Sequence, residues 1–127
     1  MVFCFVEQSN ALKARQMSTS CSRVPDGFEF RVPWHCAEHA LREELLCELP
    51  TQHRLYGVEA RAVARRQDND DVLFELFGSE APAEFAVVHL TWSGKPEPGP
   101  KYPWTELYGT FSEWVTHRMT PDADEWS

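Results

Sequence analysis

The run His35-Cys36-Ala37-Glu38-His39 carries the most chemistry of any five residues in this chain. It fits the pattern H-x-x-E-H. On a helix, histidines at i and i+4 project from one face and can hold one Zn²⁺, while the glutamate between them activates a water. A small metal-dependent hydrolase would need that arrangement. The pattern fixes few positions, no helix offers a third ligand, and the chain is too short to enclose a substrate chamber. The plainer reading puts His35 and His39 on the polar flank of an amphipathic helix. A structural zinc site from Cys36, His39, Cys47 and His53 is weaker still. There is no C-x-x-C pair, and Cys47 lies three helical turns from Cys36, too far along a straight helix to share an ion. No metal and no cofactor are expected.

Nucleophilic catalysis finds as little support. The chain has no G-x-S-x-G elbow and no glycine-rich phosphate loop. Cys36 and His35 are helix neighbours pointing about 100° apart, so they form no catalytic pair. His89, between Val88 and Leu90, could act as a base on a sheet face, but a hydrogen-bonded structural histidine is the commoner outcome. No catalytic residue is assigned. Arg61, Arg65 and Arg66 form the one local basic cluster, and Glu59, Glu75 and Asp68 to Asp71 are near enough to neutralise it.

The remaining constellation is aromatic. Seven of the sixteen aromatic residues lie between Phe85 and Trp114. Within it Trp92, Tyr102, Trp104 and Tyr108 bracket a proline-rich segment. Tryptophan and tyrosine anchor interfaces, and a proline-rich loop has little entropy to lose on binding. These four are the candidate binding residues. The competing reading is that their rings fold back as a lid on a small core.

Several elements must position these groups. Residues 1–24 read as a flexible N-terminal extension, polar and serine-rich, with Met17 a plausible second start. Residues 25–121 read as a single domain, and residues 122–127 as an acidic, solvated tail. Val24-Pro25-Asp26-Gly27 is a turn signal, and Phe28 to Val32 alternates like a short edge strand. Trp34, Ala37, Leu41, Leu45 and Leu49 recur at helical spacing, so a helix is expected from Trp34 to Leu49, stopped by Pro50. Residues 57–66 and 72–77, separated by Gln67-Asp68-Asn69-Asp70-Asp71, read as a hairpin. Residues 85–92 are the strongest strand, nearly continuous in apolar side chains and hence central. Residues 95–103 hold four of the nine prolines and should run extended. Thr110-Phe111-Ser112-Glu113 fits a capping box. The helix it opens places Phe111, Trp114, Val115, Arg118 and Met119 on one face, with Arg118 snorkelling, and ends at Pro121. The expected fold is α+β, a three-stranded (or four-stranded) antiparallel meander packed against two helices.

Composition bounds the function. The chain has 127 residues and a formal net charge of −8, from 20 acidic and 12 basic side chains. That sign argues against nucleic acid, whose phosphates require a basic footprint, and against an anionic membrane surface. It would steer a basic protein toward the chain. No apolar run approaches the roughly 18 residues of a membrane span, and Met1 to Val6 is too short for a signal-peptide core. A cytoplasmic protein follows, with Cys4, Cys21, Cys36 and Cys47 as free thiols.

The residues His89-Leu90-Thr91-Trp92-Ser93-Gly94-Lys95-Pro96-Glu97, Tyr102-Pro103, Thr105-Glu106-Leu107 and Phe111-Ser112-Glu113-Trp114-Val115 resemble the C-terminal pattern of a group of small bacterial α+β proteins. The resemblance covers roughly the C-terminal third and implies a bacterial origin. It brings no activity with it. The expected function is a non-enzymatic protein-binding module, of the immunity or inhibitor type, for a basic partner. The alternatives are the metal-dependent hydrolase using His35, Glu38 and His39, and a structural homodimer that buries Trp92 and Trp104.

Overall fold

The alternating run Glu59–Arg66 (β2) and the apolar run Asp71–Phe77 (β3) fold as the expected antiparallel hairpin. Its turn is closed by Asn69, whose Oδ1 accepts the Asp71 N–H at 2.9 Å, the local bond that suits asparagine to turns. The computed structural model describes residues 22–37, 40–99 and 101–126. β3 pairs next with Phe85–His89 (β4), which is central as its composition requires.

Among the described residues the sheet has five strands in chain order, Trp34–Cys36 (β1), β2, β3, β4 and Trp104–Tyr108 (β5), all antiparallel. The class is α+β as expected, but the expected three or four strands fall short. The two missed strands are the edges, Trp34–Cys36 (β1) and Trp104–Tyr108 (β5). β1 replaces the first part of the expected helix, which is described over Ala40–Glu48 (α1). The reason lies in the core. Leu41, Leu45 and Leu49 pack on one face of the sheet with Leu55, Val72, Phe74, Leu76, Val88 and Leu90. Trp34 is fully buried on the opposite face, with Leu73, Phe85, Val87, Phe111 and Trp114. One helix could not send Trp34 and Leu41 to opposite faces of a sheet. β5 follows directly on Pro103 and is a sheet edge, where a flanking proline removes no ladder bond.

The second face is covered by a C-terminal helix built in three continuous pieces: Phe111–Trp114 (α2), a wide π turn over Val115–Met119, and Thr120–Trp126 (α3). The capping box is present. Thr110 Oγ1 accepts the Glu113 N–H at 3.1 Å, and the Glu113 carboxylate accepts the Gly109 N–H at 2.9 Å. Thr110→Ala should lower stability by about 1 kcal/mol, measured as a denaturation midpoint shifted at constant slope. Pro121 does not stop the helix. The preceding turn bonds Thr120 N–H to the Val115 carbonyl, one residue further back than in an α-helix. That wider ladder accommodates a ring with no N–H to donate. Residues 122–126 are therefore helical, and Asp122 is bonded into the molecule.

Trp34 and Trp114 meet edge to face, with centroids 5.1 Å apart at 87°. Phe28, Phe30 and Phe111 extend the aromatic cluster. Val24 packs against it too, and Ser22 Oγ and Arg23 N–H donate to the fully buried Glu75 carboxylate at 2.7 and 2.8 Å. The packed chain thus includes Ser22 to Val24. A register shift between Ala62 and Ala64 turns the strand over, so Arg61 and Arg65 do not share a face as a regular strand would require. Cys36 is a free, exposed thiol, but Cys47 is disulfide-bonded, which corrects the expectation of four free thiols. Disulfides persist in oxidising compartments, so cysteine usage no longer argues for the cytoplasm. No helix among the described residues is long and apolar enough to cross a membrane.

Candidate binding site

Asp71, His89 and Trp104 are direct cross-strand partners on β3, β4 and β5. Paired residues put their side chains on one face, so these three form a row on the face shared with the C-terminal helix. Glu106 and Tyr108 follow Trp104 at alternate positions of β5 and point the same way. Arg118 reaches this row from the π turn. Its guanidinium contacts Asp71 Oδ2, lies 3.0 Å from Glu106 Oε1 and 2.9 Å from Asp122 Oδ2, and sits over the Trp34 ring at 5.5 Å. Asp122 is bound further by Arg66 at 3.0 Å and by the Trp34 indole N–H at 2.9 Å. Arg118 therefore does not snorkel; it ties the helix to three strands. Burial opposes its charge, but the Asp71, Asp122 and Glu106 carboxylates outweigh that and raise its pKa further. Arg66, hydrogen-bonded to Asp68, holds that carboxyl below its usual range.

Between the row and Arg118 lies an open cleft of about 350 Å³, lined by Asp71, Val87, His89, Trp104, Glu106 and Arg118. His89 Nδ1 is 2.8 Å from Asp71 Oδ1. Trp104 is 52% exposed and also borders a second open cleft of about 430 Å³, lined by Gln52, His53, Arg54, Lys101 and Thr105. Here His53 is structural. Its Nδ1 accepts the Leu55 N–H at 3.0 Å, so Nε2 carries the proton and donates to the Pro103 carbonyl at 3.0 Å. Burial lowers its pKa, against the pull of that carbonyl.

Trp92 stands elsewhere, on a loop clamped to the end of α1. The fully buried Glu48 carboxyl group accepts the Thr91 N–H at 2.9 Å and the Trp92 N–H at 2.6 Å. Glu44 Oε2 accepts the Gly94 N–H at 3.1 Å. These bonds hold Trp92 at φ 60°, a left-handed conformation costing a side-chain-bearing residue roughly 1 kcal/mol. Burial and the hydrogen-bonded Glu44 carboxyl push Glu48 up to about 8, against the two backbone donors.

Of the four residues expected to bind, Trp92, Tyr102 and Trp104 are exposed. Tyr108 is half-buried against the aromatic core, and its hydroxyl donates to Glu106 Oε1 at 2.9 Å. Burial and that carboxylate raise its pKa. None of the ring contacts among the described residues joins any two of the four. They are thus separate surface features, of which Trp104 alone borders both clefts. The H-x-x-E-H helix is not formed: His35 is on β1, its Nδ1 3.1 Å from the Cys36 carbonyl, and not on the helix described over Ala40–Glu48. Glu38 and His39 lie outside the described residues. Among the described residues no group of three or more His, Cys, Asp or Glu side chains could hold a metal ion.

Asp71, Glu106 and Arg118 escaped sequence reasoning. Glu106 would have been found by reading 104–108 as a strand, because Trp104, Glu106 and Tyr108 then share a face. Comparison with protein-family models, curated proteins and solved structures finds no match.

Proposed function

We propose that this protein is a non-enzymatic binding module for a basic protein partner, of the inhibitor or immunity type, and that Trp104 is its anchor. The observation that carries this reading is a half-exposed tryptophan on an edge strand between two open clefts. A tryptophan left in water at such a position offers a large rigid contact surface and contributes nothing to its own core. The net charge of −8 supplies the steering field. Tyr102, half-exposed just before β5, extends the surface, and Trp92 forms a second contact.

The test is calorimetric titration with cationic nuclease-toxin domains at low and high salt. Binding is expected to weaken as salt screens the charges. Trp104→Ala should cost about 2 kcal/mol of affinity, roughly thirtyfold, with an unchanged melting temperature. No salt-sensitive binding to such basic proteins would overturn the reading. So would a dimer in light scattering that Trp104→Ala dissociates, since the surface would then belong to a second copy of the chain.

A further inference from the structure

The hydrogen-bond inventory of the smaller cleft is one-sided. A carboxylate only accepts, so the 2.8 Å contact to Asp71 requires the proton on His89 Nδ1. With Nδ1 engaged by Asp71, Nε2 is the ring atom left to meet a ligand in the cleft that His89 lines. Glu106 Oε1 takes both Arg118 and the Tyr108 hydroxyl. Glu106 Oε2 has no partner among the described residues. On the donor side, each nitrogen of Arg118 is already committed to a carboxylate. Three of its five N–H groups are used in this way, so its single charge is shared among three carboxylates while Glu106 keeps acceptor capacity. The network behind it carries four carboxylates, Asp68, Asp71, Glu106 and Asp122, against two guanidiniums, Arg66 and Arg118. The excess is negative. The Trp104 ring adds a π face at the rim.

A ligand complementary to this inventory is a flat cation rich in donors. We propose that the cleft between Asp71, His89, Trp104, Glu106 and Arg118 receives one arginine side chain of the partner. Its guanidinium stacks on the Trp104 ring and donates to Glu106 Oε2 and His89 Nε2. Guanidinium fits better than ammonium because it is planar, weakly hydrated and carries five donors in a fixed fork. Stacking over tryptophan contributes about 0.5–2 kcal/mol. The volume of about 350 Å³ lies at the lower end of the roughly 300–1,000 Å³ seen for small-ligand sites. The proposal rests on the protein-binding reading and names the chemistry that its anchor recognises.

The test uses the full chain with ¹⁵N-labelled tryptophan and N-acetyl-arginine methylamide as the probe. The Trp104 indole resonance should shift saturably, with the Trp92 indole unmoved. The neutral citrulline analogue should bind about tenfold more weakly, and so should arginine methylamide to Glu106→Gln, each a difference of about 1.4 kcal/mol. Glu106 and Trp104 are solvent-exposed, so Glu106→Gln and Trp104→Phe should keep the fold, which the remaining indole resonances report. An absent shift at Trp104, or an equal shift with citrulline, overturns the proposal. An equal affinity for the lysine analogue overturns the guanidinium preference. Basic-protein binding that Trp104→Ala abolishes while Glu106→Gln leaves it intact overturns the cleft and spares the protein-binding reading. An arginine-specific shift with no basic-protein binding does the reverse.

Discussion

Arg118→Ala should destabilise the protein by about 3 kcal/mol, lowering the melting temperature by roughly 12–20 °C. The Arg118, Asp71 and Asp122 side chains are each about 15% exposed, so the charges are largely removed from water. Among the described residues, deleting the guanidinium leaves the Asp71 side chain with its bond to His89, and Asp122 with Arg66 and the Trp34 indole. A nearly buried carboxylate without its cation is costly, whereas exposed pairs contribute little. Arg118→Lys should recover less than half of the loss. A single ammonium cannot reach three carboxylates held around a planar fork. Urea denaturation of the three proteins measures this. A loss under about 1 kcal/mol for alanine, or full recovery with lysine, would contradict the assignment of Arg118 as the tie between the C-terminal helix and the sheet.

The second large effect is a dependence on pH set by Glu48. Its folded pKa, about 8, lies above its ordinary value of 4.5, so the folded state holds a proton that the unfolded chain releases. The associated stability is complete below about pH 4.5 and is lost as pH rises through about 8. His53, with its lowered pKa, works in the opposite direction near its ordinary 6.5. The measurement that isolates Glu48 is therefore a difference between wild type and Glu48→Gln, by chemical denaturation at pH 5 and pH 9. Wild type should lose at least about 1.4 kcal/mol more than the variant over that range, the worth of a tenfold change in proton affinity. Glu48→Gln itself should cost about 1–3 kcal/mol at pH 5. The Thr91 and Trp92 N–H groups bond different oxygens, so the amide sets its NH2 against one of these donors. Identical pH profiles for the two proteins would refute the account.

The parts of the fold readable in the chain are those whose signals are local. The β2–β3 hairpin was marked by its turn cluster and alternation, β4 by its unbroken apolar run, and the last helix by the capping box at Thr110. Each of these signals spans a few residues and reflects nearby backbone bonds. The edges were not readable. Trp34 matches the helical spacing of Leu41 and Leu45 as well as it matches a strand, and only its partner Trp114, 80 positions away, puts it on the other face. Trp104 to Tyr108 follows a proline-rich run, and no local signal separates the strand from that loop.

The candidate site divides in the same way. The acidic excess, and the place of Trp104 among a few large aromatics beside a stiff loop, are legible in the chain. Residue type and proline spacing suffice for that. Tertiary structure alone decided that His89 meets Asp71, 18 residues away, and that Arg118 meets Asp71 across 47. It also decided that Asp122 is partly buried and bonded to Arg66, Arg118 and the Trp34 indole. Contacts of that span depend on strand register and on where the π turn aims Arg118. A side chain's neighbours across a sheet are fixed by pairing, which no local pattern encodes.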